Sequence, residues 1–381
     1  MVKVFACGDI VNYKNHDGLV CSDELSRVVK SADYAVCNFE APLKGFGMPQ
    51  PKSGPHHTQH PQTLKGLKEQ GFDLALLANN HMLDYGEEGL AKVIEIAQGL
   101  GLDTLGAGLD EDEAYRPLIK DINGMSIGII NACEAQFGVI DYFERGKAAG
   151  YAWINHANID KLVIELKEKC DFVLVFSHAG LENYPIPQKE WRFRYKHLCD
   201  LGADAVIAAH PHVPQGYEKH NNSHIFYSLG NFYFDGGLWA NSENTSYSII
   251  LYLEKNEPIQ FELVYHYTTE NKVHLAPEHK KVNVDNLCNL LNEGYTEAHD
   301  EMTRKAYTSV KASFVRSLFS FPIGMSLKAT TKEIVATLLG RRRHINKPLT
   351  LMHLLRNEAY YYVMRHALEI ETKTKEKLKN E

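Results

Sequence analysis

Residues 73–90 read DLALLANNHMLDYGEEGL. Leu74 to Ala78 form a short apolar run of the kind that makes a buried strand. Asn79, Asn80 and His81 then stand side by side, with Asp84, Tyr85 and Gly86 close behind. Buried polar groups cost free energy unless something satisfies them. A tight turn would be served by an Asn-Gly pair, and the first glycine comes only at position 86. The strand end therefore needs these side chains for a purpose other than turning.

The same punctuation recurs along residues 1–265. Apolar runs at KVFACGD, YAVCNFE, MSIGIINA, DFVLVFSHAG, DAVIAAHPH and HIFYSLGNFYF read as strands. Amphipathic helical patterns lie between several of them, around 22–30, 63–70, 87–100, 159–169 and 187–201. This alternation predicts an α/β architecture. The stretch from Asn244 to Thr268 reads as an antiparallel pair closing a sheet edge. The strands end in Gly8-Asp9, Asn38-Phe39-Glu40, Asn80-His81, Ser177-His178 and His210-Pro211-His212. In α/β folds the functional crevice lies outside the carboxyl ends of the strands, so these groups are expected to converge on a metal site. Singly, each is the sort of residue that also occurs for structural reasons; their order and common position carry the reading.

Composition is compatible with this. The chain has 381 residues, 44% of them hydrophobic, and a net charge of −7. Residues 266–381 hold 19 Lys+Arg against 13 Asp+Glu, which leaves 22 against 35 in the front. An acidic front argues against a nucleic-acid enzyme. The seven cysteines show no CxxC pair and read as buried reduced thiols of a cytoplasmic protein. MVKVFACGDI is too short an apolar run for a signal peptide, and no window suggests a transmembrane segment. From about Asn283 the pattern turns helical: one long amphipathic stretch through Ser320, a second near 331–339 and a third near 349–368, with the charged last residues expected to fray. A division into residues 1–265 and a mainly helical, basic extension over 266–381 follows.

The segments GDI, NFEAPL, GFDLALLANNHMLDYGEEGL, LGAGLDEDEA, SHAGLENYPIPQ, LGADAVIAAHPHVPQGYE and IFYSLGNFYFD resemble, in this order, the capsule-synthesis (CapA, PGA_cap) family of the calcineurin-like metallophosphoesterase superfamily. The resemblance covers roughly residues 7–236. It implies a metallophosphoesterase-like two-sheet β-sandwich flanked by helices. It also implies one or two divalent transition metal ions (Mn, Zn or Fe). Asp9 and His212 would bind the first metal and Glu40 would bridge; Asn80, His178 and His210 would hold the second. His81 would be the general acid. Asp84 would either orient it or cap the following helix. One departure stands out: where the superfamily usually has Asp-x-His, the third position here is Val11, so the first metal lacks a ligand unless His16 supplies one.

Around the centre, Lys52, Glu182 and Asn231 are candidate substrate-binding residues, and each is equally readable as loop or surface structure. Tyr184, Ser228, Gly230 and Asp235 line the same strand ends, and aromatic residues around 184–195 and 227–239 would form apolar walls. His56, His57 and His60 read as substrate-loop or surface residues. In the tail, residues 303–360 carry 11 basic residues against Glu333 and Glu358, including SLFSFPIGMSL and LLGRRRHINK. This is either a helical cap or a basic patch that recruits membrane-bound synthesis machinery. The implied activity is a hydrolase or transferase attacking a phosphoester or amide bond in making an extracellular polymer, poly-γ-glutamate or polysaccharide. The substrate would be an anionic polymer or peptide-like. An epimerase using the same site and a non-catalytic assembly component are the competing readings.

Overall fold

The computed structural model describes residues 1–143, 148–236, 244–269, 271–319, 322–341 and 346–380. Parts of three expectations therefore lie outside the described residues: Trp239 among the aromatic walls, 320–321 in SLFSFPIGMSL, and 342–345 in LLGRRRHINK. The chain forms two compact units. Met1–Gln50 and His56–Glu293 make one; Pro51–Pro55 and Gly294–Glu381 make the other.

The larger unit is built on two sheets. The first runs in the order Lys272–Leu275, Gln260–Thr269, Thr245–Leu253, Val2–Val11, Tyr34–Phe39, Leu74–Leu76, Asp103–Leu105. The strand Asn231–Phe234 pairs in parallel with the far end of Val2–Val11, matching Asp9 with Asn231. The second sheet runs Tyr217–His220, Ser223–Phe226, Ala205–Ala209, Phe172–His178, Met125–Cys133, Leu118–Ile122. Period-two alternation assigns the faces. Val4, Ala6, Val36, Leu74 and Leu76 of the first sheet share one core with Ile127, Ile129, Leu174, Phe176 and Ile207 of the second. Their neighbours Phe5, Cys7, Ala35, Cys37 and Ala75 point the other way. They pack with Leu25, Val29, Leu64, Leu67, Leu90 and Val93 of the helices Asp23–Lys30, Thr63–Glu69 and Gly86–Gly99. The helices Ala157–Lys169 and Lys189–Asp200 pack on the second sheet. The expected two-sheet α/β sandwich with outer helices is thus the architecture observed.

The expected boundary at 265 falls inside the strand Gln260–Thr269, which together with Lys272–Leu275 extends the first sheet. The compact unit runs on to Glu293. The expected antiparallel pair, Thr245–Leu253 with Gln260–Thr269, is observed on that side of the sheet, with Lys272–Leu275 added outside it as the edge strand. The single long helix expected from 283 is broken into Val284–Asn289, which ends with Leu290 at its C-cap, and Tyr295–Leu318, which starts afresh from Gly294 at φ +80°. The third helix is also two, Lys347–Arg356 and Glu358–Asn380; Asn357 leaves the helical region (ψ 111°) and its Oδ1 accepts from Tyr360 N at 2.8 Å. The charged last residues continue the helix to Asn380 rather than fray. No helix among the described residues is long and apolar enough to cross a membrane.

One buried histidine outside the strand ends gives the fold a pH dependence. His266, on the Gln260–Thr269 strand, is 1% exposed with its ring centroid 4.9 Å from that of Phe232. Burial lowers its pKa to about 3. The unfolded chain, with a histidine near 6.5, takes up the proton first, so stability falls as pH drops from about 6.5 towards 3. Between pH 7 and 5 the native protein should lose about 2 kcal/mol that a His266→Leu variant keeps, read as the shift in urea midpoint at the two pH values.

Candidate metal centre

Five strand ends do converge. Asp9 closes the first strand, and its position is fixed by tight backbone contact: a Cβ on Gly8 would stand 1.8 Å from Gly230 O, and Asp9 N donates to that oxygen at 3.3 Å. Glu40 follows the Tyr34–Phe39 strand, and Asn79 Nδ2 donates to Phe39 O at 3.0 Å to hold the neighbouring loop against it. His178 ends the Phe172–His178 strand. His210 and His212 follow Ala205–Ala209. The backbone is strained where ligands leave their strands: Ala41, His210 and His212 have φ of 113°, 100° and 61°. Non-glycine residues hold such conformations only where the surroundings over-determine them.

The side chains meet at short range. Asn38 Nδ2 donates to Asp9 Oδ1 at 2.6 Å and lies 3.0 Å from His178 Nδ1. His178 Nε2 lies 3.1 Å from both Asn80 Oδ1 and His210 Nδ1, and 3.7 Å from Glu40 Oε1. His210 N donates to Asp9 Oδ2 at 3.2 Å. His212 Nδ1 lies 3.5 Å from Asp9 Oδ2 and 3.0 Å from Asn231 Oδ1. Ligand atoms of Glu40, His178 and His210 fall within 4.8 Å of one another, as do those of Asp9, Glu40 and His212. Glu40, His178 and His210 thus share one cluster, and Glu40 joins both.

The electrostatics identify what these groups lack. Glu40 is fully buried and neither carboxylate oxygen has a hydrogen-bond partner. Burial, then the Asp9 charge, push its carboxyl well above the usual range, with His212 opposing. Burial and the neighbouring imidazoles hold His178 far below its ordinary value, and burial lowers His210 to about 3, so both are neutral and offer lone pairs. Burial would lower His212 too, but Glu40 and Asp9 outweigh it and raise it to about 10. An unpartnered buried carboxylate facing neutral imidazoles fits a divalent cation. Mixed oxygen and nitrogen donors suit Mn, Fe, Zn or Co.

His81 stands beside these ligands, buried, with Nδ1 2.7 Å from Asp84 Oδ2. The same carboxylate oxygen accepts from His57 N at 2.7 Å. Of the two readings of Asp84, orienter and helix cap, the geometry gives the first: the helix begins at Gly86 with Tyr85 at its N-cap and no side-chain cap. His57, of the three loop histidines, is part-buried against this pair. Its ring lies 4.2 Å from that of His81 and 5.6 Å from that of Phe234, and its Nδ1 contacts the Tyr13 hydroxyl. Glu182, expected at substrate, has a carboxylate oxygen within 4.8 Å of ligand atoms of His210 and His212, close enough to share an ion with them. Asn231 is buried, and its Nδ2 has no hydrogen-bond partner. Asp235 Oδ1 and Oδ2 accept from Tyr13 N and Lys14 N, so it shapes the first strand's exit. Val11 is buried, and His16 pairs instead with His60, ring nitrogens 3.1 Å apart, in none of the metal-competent clusters found among the described residues. Lys52 lies in Pro51–Pro55, with the helical unit, where its charge helps lower the pKa of His353.

Two contributors had no signal in the sequence. Glu134 is fully buried; it accepts from Gln136 Nε2 at 2.6 Å and Gly180 N at 3.0 Å, and lies 3.7 Å from His210 Nε2. Gln136 in turn lies 3.3 Å from His210 Nε2 and accepts from Asn80 Nδ2 at 3.4 Å. Together they orient two ligands from behind. Their stretch, CEAQFG, follows the Met125–Cys133 strand and carries one carboxylate, which alone says nothing.

The family model described as "Bacterial capsule synthesis protein PGA_cap" matches residues 3–236. The chain belongs to this family. It is 32% identical over 238 residues to the capsule biosynthesis protein CapA of Bacillus anthracis, covering 58% of this chain and 55% of that protein. It is 31% identical over 245 residues to the PGA biosynthesis protein CapA of Bacillus subtilis (strain 168), covering 62% of each. The chain thus spans less than two thirds of the length of these curated relatives. Among solved structures, the calcineurin-like phosphoesterase YfkN from Bacillus subtilis aligns with a TM-score of 0.40 at 12% identity, over 79% of this chain and 98% of that one. These last values are too low to transfer anything from that structure.

A carboxylate stranded in this way should cost stability until a cation arrives. Glu40→Gln should raise the stability of metal-stripped protein by about 1–3 kcal/mol, since the amide removes an uncompensated buried charge. The same change should abolish the rise in melting temperature expected of the native chain with Mn. Calorimetry with and without metal checks both.

Proposed function

We propose that this chain is a metal-dependent hydrolase or transferase that attacks a phosphoester or amide bond in making an extracellular polymer. The observation that carries this is the buried, unpartnered Glu40 carboxylate between two sets of metal-competent side chains. Glu40, His178, His210 and Asn80 would hold one divalent ion; Asp9, Glu40 and His212 a second, with Glu182 supplying the ligand that Val11 cannot. Bound there, divalent ions supply an acidified water and a polarised P=O or C=O group. The family's name, and the poly-γ-glutamate or polysaccharide capsules it implies, support a polymer of that kind as the setting. A peptide-like anionic chain is then the substrate class.

The chain's own residues divide the remaining work. Asp84 fixes the tautomer of His81 by accepting from Nδ1, which turns Nε2 outward as a donor to a leaving group. His57, stacked edge-on against His81, keeps water from that face and fixes the ring. Asn231 holds His212 through its Oδ1 and keeps its amide N–H groups for a substrate oxygen.

Elemental analysis on protein purified without a histidine tag tests the centre. One to two equivalents of transition metal at the strand ends are expected, with about one equivalent fewer in His178→Ala. His81→Asn should retain that metal and lower turnover of a phosphoester or glutamyl amide about 10²- to 10⁴-fold. Loss of metal in His81→Asn would overturn the division of labour. Metal present with no turnover of either bond type would turn the proposal towards epimerisation, read as deuterium uptake from heavy water without cleavage, or towards an assembly role.

A further inference from the structure

A second cluster of metal-competent side chains lies in the helical unit, on the seam between Tyr295–Leu318 and Glu358–Asn380. The seam is otherwise apolar: Met302, Ala306 and Val310 on one helix and Ala359, Val363 and Ala367 on the other are buried at helical spacing. At the level of His299 this stripe changes character. His299 is buried at 4% exposure, on the turn preceding Met302, and its ring centroid lies 4.8 Å from that of His366. His366 Nε2 lies 2.7 Å from Asp300 Oδ1. One ligand atom from each of His299, Asp300 and His366 falls within 4.8 Å of the others. A fourth group stands behind: Glu369 Oε2 lies 3.5 Å from His366 Nδ1, one helical turn further along.

We propose that His299, Asp300 and His366 form a zinc-class divalent metal site that clamps these two helices together. Two imidazoles and one carboxylate are a donor set that zinc takes at about 2.0–2.2 Å. Glu369 would accept a hydrogen bond from Nδ1 of His366, leaving Nε2 for the ion, the carboxylate–histidine–metal relay that fixes ligand tautomers. The fourth position would belong to water. An ordinary His366–Asp300 ion pair accounts for one contact of this cluster; it gives no reason for a second imidazole, His299, to be buried against the first with a carboxylate on each side. Arg304, 3.9 Å from Asp300 Oδ2, competes weakly for the carboxylate from an exposed position. The site shares no residue with the strand-end centre, so either can fail without the other.

The test uses the full chain carrying His178→Ala, His210→Ala and His212→Ala, which takes at least one ligand from every strand-end group, titrated with zinc alone against a chromophoric chelator. One equivalent of bound zinc is expected, with a melting temperature several degrees higher on saturation. Adding His366→Gln should abolish the equivalent. Adding Glu369→Gln, at a half-exposed position that folding tolerates, should weaken zinc affinity about 10- to 100-fold. Failure of the background chain to bind zinc would overturn the proposal, and so would equal binding by the Glu369→Gln chain. Should the His366→Gln chain fail to fold, the Glu369→Gln comparison still decides.

Discussion

A carboxylate without a partner, buried where two sheets meet, is the constraint around which the rest is arranged. Glu40 sits in the interior with both oxygens unsatisfied and a second carboxylate, Asp9, beside it. Removing charge from water costs several kcal/mol per ion, and one buried imidazolium, His212, offsets it only in part. No chain tolerates this without a cause. The surrounding groups give one: His178 and His210 are held neutral by burial, so each keeps a lone pair to offer a cation. The sandwich supplies the stability that the centre withholds. Its inter-sheet core and helix-covered outer face bury long alternating rows of aliphatic side chains, each contributing about 1.5–3 kcal/mol. Strain at Ala41, His210 and His212 belongs to the same exchange, since those turns aim side chains where relaxed backbone would not.

The convergence of these side chains was legible in the sequence because it obeys two simple regularities. Strands announce themselves by apolar runs, and functional groups cluster at their carboxyl ends; Asp9, Glu40, Asn80, His178, His210 and His212 all satisfy both. Groups that orient these ligands were not legible. Glu134 and Gln136 reach His210 and Asn80 only through the folding of a loop, and a single Glu in a loop has no periodicity to betray it. The packing of His57 was not legible for a similar reason. Its PHH surroundings look like solvent-facing loop, and only the backbone bond to Asp84 reveals that it is pinned against His81. In the helical part, amphipathic spacing found the helices but not their breaks. Gly294 and Asn357 interrupt patterns whose apolar residues continue in phase, so the pattern alone joins what the backbone separates.

Asp84 shows how one group can organise several. Its Oδ2 accepts both from His57 N and from the His81 ring, tying a loop residue 27 positions upstream to the proposed acid. Being fully buried, it has no solvent to compete for those bonds, which sharpens both. Loss of that carboxylate would release two elements at once, and the effects of changing Asp84, His81 and His57 should not add.

The placement of the first strand has a consequence for how the protein is made. Val2–Val11 is flanked in mid-sheet by Thr245–Leu253, and Asp9 takes its register from Asn231. Val2–Val11 must therefore wait, unpaired on that side, for segments synthesised more than 200 residues later. Chains translated at about 5–20 residues per second leave that apolar strand exposed for many seconds. The side-chain arrangement at Asp9 thus completes only after translation has passed Asn231, and a nascent chain stalled before the Thr245–Leu253 strand presents an aggregation-prone edge for chaperones to cover.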